Sequence, residues 1–143
     1  MKKLVVTAVA VVLMATGLVF ASGGTASAQC APSQYAGCFR TVTDVTATRR
    51  VPKGTRATIC VQITVVGSNA TPAGDVVVTV RKRRSNLTIT RTLDYFGGKM
   101  CIVTRKLTKK GRYTVTANYR SPSGSVFYNS LGKARFKVTP RNG

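Results

Sequence analysis

Residues 107–119 constrain the fold most, because a basic turn there leads directly into a regular alternation of side chains. Every second position of its second half is apolar or aromatic, at Tyr113, Val115, Ala117 and Tyr119, and polar residues lie between them. A two-residue period of this kind is typical of an antiparallel sheet with one face on a core and the other in water. We therefore predict a half-buried strand here.

The same alternation recurs along the chain and is clearest over residues 57–65. Glycine, proline and asparagine separate the apolar runs at short intervals, and no helical period appears after the N-terminal segment. The further strands predicted are residues 44–49, 75–81, 87–93, 99–104 and 134–139. About seven short strands predict an all-β fold, a single immunoglobulin-like (Ig-like) β-sandwich of antiparallel strands.

The residues also resemble a known group, the bacterial Ig-like domains that recur in secreted and surface proteins. The similar segments are residues 68–80, 97–102, 107–119 and 121–130. The resemblance implies the same sandwich over about residues 44–139 and implies no catalytic residues. Gly111 and Tyr113 match the tyrosine corner of such sandwiches. The chain departs from the family in its charge and its cysteines.

The N-terminus predicts a secretory signal peptide over residues 1–28. Two lysines precede an apolar run, and small residues end it at Ala28, the expected cleavage site; Ala21 is a poorer match. A lipid anchor on Cys30 is disfavoured because Gln29 stands where a small residue is needed. We expect a secreted protein, either free or associated with the cell wall, with no transmembrane segment in the mature chain.

The mature chain has the length of one domain. We divide it into a disulfide-stapled arm (residues 29–43), the Ig-like β-sandwich (44–140) and a C-terminal tail (141–143). Four cysteines follow the leader, and an oxidising compartment favours two disulfides over free thiols or a metal site. The favoured pairs are Cys30–Cys38, which closes a short loop, and Cys60–Cys101, which occupies outward positions in the middle of two strands.

Enzymatic activity is not expected from this composition. The chain contains no histidine and no glutamate, so its acidic residues are Asp44, Asp75 and Asp94, which are predicted at different strand ends. General acid–base chemistry near neutral pH needs a titratable group at a site, and no nucleophile, phosphate-loop or metal-ligand pattern accompanies these carboxylates. We predict no catalytic residues, no cofactor and no metal.

The charge points to anionic partners. The chain has 23 Lys and Arg against 3 Asp and Glu, a formal net charge of +20, which favours association with polyanions, although a plain role in solubility is the alternative. The usual strand order places the turns after the first, third and fifth strands at one end, and the aspartates at the other. The basic residues of these turns are the predicted polyanion-binding set: Arg49, Arg50, Lys53, Arg56, Arg81, Lys82, Arg83, Arg84, Arg105, Lys106, Lys109, Lys110 and Arg112.

The leading functional hypothesis is a secreted, non-enzymatic binding or adhesion module whose basic end associates with anionic cell-envelope or extracellular polymers. Export makes intracellular nucleic acid an unexpected ligand. The alternative is a protein–protein interaction module, an inhibitor or a surface-assembly subunit, that uses the opposite loops with Phe127 and Tyr128. These two aromatics, with Tyr95 and Phe96, are predicted in loops, where they either stack on a ligand or cover the ends of the sandwich.

Overall fold

The computed structural model describes residues 37–140, which form eight strands in two sheets. The three-stranded sheet has the order β1-β3-β6, and the five-stranded sheet has the order β2-β8-β7-β4-β5. The strands are β1 (Thr41–Ala47), β2 (Arg50–Pro52), β3 (Thr58–Val65), β4 (Gly74–Lys82), β5 (Thr88–Tyr95), β6 (Lys99–Val103), β7 (Gly111–Arg120) and β8 (Ser130–Thr139). All paired strands are antiparallel except β2 and β8. The predicted Ig-like sandwich is confirmed.

The core lies between the sheets and is built from the alternating faces that the sequence shows. Strand β7 lies between β4 and β8, and its inward side chains Tyr113, Val115, Ala117 and Tyr119 are all buried. Valines and an alanine from the neighbouring strands and Ile59 of β3 belong to the same core cluster. Each large apolar side chain buried in this way stabilises the fold by about 1.5–3 kcal/mol. No helix able to cross a membrane occurs between residues 37 and 140.

A disulfide joins two strands of the smaller sheet. Cys60 of β3 and Cys101 of β6 lie directly opposite each other and are bonded, as predicted. From chain entropy, a bridge that closes a loop of this length contributes about 4 kcal/mol. Cys38 is also disulfide-bonded. Its predicted partner Cys30 lies outside the described residues, as do the predicted leader 1–28 and tail 141–143.

The first strand begins earlier than the sequence predicts, at Thr41 and not at residue 44. The reason is a buried face made of hydroxyl groups. Thr41 and Thr43 are buried, and their Oγ1 atoms lie 2.8 and 2.7 Å from Oγ of Ser130; Thr41 also donates to the backbone oxygen of Tyr128 at 2.6 Å. Paired hydroxyl groups can be buried without a large loss of hydrogen bonding, so polar residues occupy inward positions here.

Strand β8 also begins earlier than predicted, at Ser130, and its second inward position is Gly132. The glycine is required by a close approach of β1: a Cβ atom on Gly132 would overlap the backbone oxygen of Thr43 and lie 2.6 Å from Cγ2 of Val45. The short strand β2, which the sequence analysis does not predict, pairs with the other end of β8 and buries Val51. These contacts close one side of the sandwich.

Substitution of Gly132 tests this closure. We expect Gly132→Ala to lower the free energy of unfolding by about 2–3 kcal/mol, because the methyl group forces β1 away from β8. Urea denaturation measures the change. Gly37→Ala is the matched control, since a Cβ at Gly37 meets no atom within 4 Å, and it should stay within about 0.5 kcal/mol of the parent. Equal stability of the two variants would contradict the close packing of β1 on β8.

Candidate functional site

The three basic turns meet at one end of the sandwich, which we call the basic end and define as the turns containing residues 48–57, 82–87 and 104–112. Backbone hydrogen bonds join the first turn to the third: Gly54 N–H donates to the oxygen of Leu107 at 2.8 Å, and Leu107 N–H donates to that of Thr55 at 2.9 Å. The N–H of Arg83 donates to the oxygen of Arg112 at 2.9 Å and joins the second turn to the third. Cations that are far apart in sequence are therefore held close together.

A tyrosine corner fixes the third turn, as the family resemblance implies. The hydroxyl of Tyr113 donates to the backbone oxygen of Lys109 at 2.7 Å, and its ring stacks on Phe136 with 5.1 Å between centroids. Burial raises the pKa of this hydroxyl above its ordinary value. Leu107 is buried in the same turn. The backbone that presents the lysines is thus anchored to the core.

Lysines from all three turns line one open groove of about 700 Å³ at the basic end. They are Lys53 from the first turn, Lys82 from the second, and Lys109 and Lys110 from the third. Lys82 passes close to Gly111, where a Cβ atom would lie 3.2 Å from its Cε. The glycine has a φ of 136°, so it supplies both the backbone conformation and the space for the lysine chain.

A second groove of about 690 Å³ opens on the outer face of the five-stranded sheet and is lined by four arginines and a lysine. Three of these belong to the predicted polyanion-binding set: Arg49, Arg83 and Arg112. The sequence analysis missed Arg135 and Lys137, which are outward residues of β8. Each stands alone between inward residues, so no basic run marks them; their alternation with buried residues is the signal that could have found them.

The other predicted polyanion-binding residues lie at or beside the same turns. Arg50 borders a further groove of about 620 Å³ with Lys53. The remaining five line neither of the two large grooves and are all exposed: Arg56, Arg81, Arg84, Arg105 and Lys106. Of the whole predicted set, only Lys82 is half-buried.

The aspartates are placed partly as expected. Asp75 and Asp94 lie directly opposite each other on β4 and β5, at the end of the sheet away from the basic end. The expectation for Asp44 is wrong: it is the fourth residue of β1, paired with Gln62 in the middle of the smaller sheet. The displacement follows from the buried hydroxyl face of Thr41 and Thr43, which extends β1 before Asp44.

The loop aromatics fall into different environments. The prediction of a loop position for Tyr95 is wrong, because Tyr95 ends β5, is 1% exposed, and donates its hydroxyl hydrogen bond to the oxygen of Gly98 at 2.6 Å. Phe127 packs on Phe39 with 6.2 Å between ring centroids and covers the core, and Tyr128 is half-buried. Phe96 is 80% exposed, which makes it the aromatic of this set that is free to meet a ligand.

The side chains of the basic end carry positive charge and hydrogen-bond donors. Arginine guanidinium groups donate two parallel hydrogen bonds to phosphate or carboxylate groups, and lysines add point charges. Within residues 37–140, no three His, Cys, Asp or Glu side chains form a group that could hold a metal ion.

Comparisons with known proteins found no matching protein-family model and no matching curated protein. Among solved structures, the chain is similar to the CARDB domain of a Pyrococcus furiosus protein solved in complex with di-metal ions, at 13% identity and a TM-score of 0.49 over 76% of this chain and 100% of that one. It is also similar to murine CRIg, at 13% identity and a TM-score of 0.42 over 70% and 98% of the two chains. The class that the strand order and the tyrosine corner define is an Ig-like β-sandwich.

The tyrosine corner predicts a pH-dependent contribution to stability. Tyr113→Phe removes the bond to Lys109 and should lower the free energy of unfolding by about 1 kcal/mol at pH 7. Because the folded pKa of Tyr113 is raised, its contribution is fully present below the unfolded pKa of about 10 and is lost as the pH rises through the folded pKa. The gap between parent and variant should therefore narrow in alkaline solution.

Urea denaturation at a series of pH values from neutral to alkaline measures this gap. The pKa of Tyr119 is also raised, by burial and then by repulsion from Tyr95, but this effect is common to both proteins and cancels in the comparison. Tyr128→Phe, outside the corner, is the matched control. A Tyr113→Phe gap that widens above pH 10 would contradict the anchoring role.

Arg84 contributes a positive charge to the basic end, but its backbone φ is 58°, in the left-handed region that favours glycine. We therefore expect this residue to lower the stability of the fold. The left-handed conformation costs a residue with a side chain about 1–2 kcal/mol. Glycine avoids this cost, but its greater freedom in the unfolded chain offsets part of the benefit. Arg84→Gly should therefore stabilise the protein by about 0.5–1 kcal/mol in thermal or urea unfolding. Arg83→Gly, the control in the same turn, should not stabilise it. Equal effects would show that φ at residue 84 carries no strain.

Proposed function

We propose that the protein is a secreted, non-enzymatic Ig-like binding or adhesion module whose basic end associates with anionic cell-envelope or extracellular polymers. The observation that carries the proposal is the groove at which Lys53, Lys82, Lys109 and Lys110 meet from three separate turns. The turns are joined through backbone hydrogen bonds, so the backbone that carries these lysines is held in place before any ligand arrives.

Repulsion within this cluster favours an anionic ligand. Two unit charges 4 Å apart repel by about 1 kcal/mol in water and more near a protein surface. The fold holds the cations together against this repulsion, and a bound polyanion would remove it while releasing its counterions. Such binding is steered over a distance and weakens steeply with salt.

The absence of enzymatic activity is part of the proposal. The chain has no histidine and no glutamate, and Asp75 and Asp94 lie at the other end of the five-stranded sheet. The basic end thus has donors for an anion but no carboxylate or imidazole beside them to transfer a proton.

A second candidate function is a protein–protein interaction module that uses the opposite loops. The favouring observation is Phe96, which is 80% exposed, and the neighbouring loops approach each other where a Cβ on Gly97 would overlap Cγ2 of Thr71. Phe96→Ala would then abolish partner binding and leave polymer retention unchanged. Phe127 is a poorer test residue, because its ring supports the core.

Cosedimentation of the mature protein with purified cell walls across a salt series tests the leading proposal. The variant Lys53→Gln/Lys109→Gln/Lys110→Gln should lower retention several-fold and flatten the salt dependence, because three cations leave the groove. The control removes the same charge from exposed cations elsewhere, as Arg40→Gln/Arg91→Gln/Lys99→Gln.

Retention of the parent that falls with salt, together with a stronger effect of the basic-end variant than of the control, supports the proposal. Absent retention, or retention that is insensitive to salt, overturns it. Equal effects of the two variants would show that retention depends on the net charge of the protein and not on the position of the cations at the basic end, which contradicts the proposal.

A further inference from the structure

The outer face of β8 carries a row of cations that extends from the basic end along the strand. Lys133, Arg135 and Lys137 occupy alternate positions and are all exposed. Alternate residues of a strand point to the same face and repeat every 6.5 Å or so, which makes the row straight and about 13 Å long. We call these three residues the β8 row.

Hydroxyl groups and a further cation accompany this row on the neighbouring strand. In the antiparallel register of β7 and β8, Arg112 lies opposite Lys137, and Thr114 and Thr116 lie opposite Arg135 and Lys133. Both threonines are half-buried on the outer side of β7. Each cation of the row thus has a second donor beside it, and the row begins at the groove that Arg49, Arg83 and Arg112 line.

The row also has a defined far end. Beyond Lys133 the outer positions are Leu131 and its partner Asn118, and the last row of the sheet places Asp75 between Arg120 and Asp94. No aromatic residue lies on the outer face of β4, β5, β7 or β8, whose aromatics all point inward: Tyr95, Tyr113, Tyr119 and Phe136. The face offers charge and hydroxyl groups in line, and it offers no ring on which a base or a sugar could stack.

We propose that the β8 row is a track for one extended phosphodiester polymer of the cell envelope, with one phosphate at each cation. The inference rests on the proposed function and names its ligand class. A single file of charges fits a linear chain better than the broad surface of an acidic protein. A phosphate group has several oxygens, which a cation and a neighbouring hydroxyl can share, and arginine binds two of them at once.

Single-stranded nucleic acid is the competing phosphodiester, and the face disfavours it. Proteins that bind single strands combine a basic groove with aromatic side chains on which bases stack, and the outer face of these strands has none. A polymer without bases, such as poly(glycerol phosphate), loses nothing on such a surface.

The test is a titration of the mature full chain with poly(glycerol phosphate) fractions of increasing length. Affinity for the parent should rise steeply until the polymer spans the β8 row and more slowly thereafter. Lys133→Gln/Arg135→Gln/Lys137→Gln should weaken binding at least about tenfold and lower the slope of log affinity against log salt by about 2–3, since three phosphate contacts are lost. Lys133→Arg/Lys137→Arg keeps the charges and should bind as the parent does.

The comparison variant is Arg40→Gln/Arg91→Gln/Lys99→Gln, with the same charge change away from the row. If the row variant binds as this control does while the parent still binds, the track is wrong and the proposed function stands. If the parent binds no poly(glycerol phosphate) but still cosediments with cell walls, the track is wrong and the proposed function stands; if it does neither, both fail. Tighter binding of single-stranded DNA with an equal number of phosphates would overturn the assignment to an envelope polymer.

Discussion

The hydrogen bond from Tyr113 to the backbone of Lys109 is the interaction on which the charged end depends. It ties the turn that carries the largest share of the basic residues to an aromatic stack with Phe136 in the core. The backbone hydrogen bonds of Leu107 with Gly54 and Thr55 hold the first turn against this anchored turn. A cluster of like charges would otherwise spread apart, so the backbone around it must be held by interactions that do not involve the charges.

The Cys60–Cys101 disulfide stabilises the smaller sheet, away from the tyrosine corner. Antibody domains join their two sheets through the core by a bond from the second strand to the strand of the tyrosine corner. Here Cys60 and Cys101 join neighbouring strands of the smaller sheet on its outer side, and Val115, two residues after the corner tyrosine, is buried in the core. No disulfide crosses the core in the part of the chain that the structure describes, while the outer bond restricts the unfolded chain.

Much of this fold could be predicted from the sequence, because β3 and β7 alternate cleanly and the cysteines fall at outward positions of adjacent strands. The start of β1 could not, since its buried positions are Thr41 and Thr43, whose hydroxyl partners on Ser130 are remote in sequence. Strand β2 is too short for a period to show. In the candidate site, the convergence of the turns follows from strand order, whereas Arg135 and Lys137 are single cations that become neighbours of Arg112 only through the register of β7 and β8.

The register makes the two ends of the outer face differ in charge. At one end Lys137 lies beside Arg112, whose backbone oxygen accepts a hydrogen bond from the N–H of Arg83. At the other end Arg120 and Asp94 flank Asp75. A polyanion that lay across the strands near the second end would meet carboxylates, whereas one that runs along β8 from the basic groove meets a cation at every second residue until Leu131. In the proposed track, the opposite signs at the two ends would act together: the cations would attract the polymer, and the aspartates would limit how far across the sheet it extends.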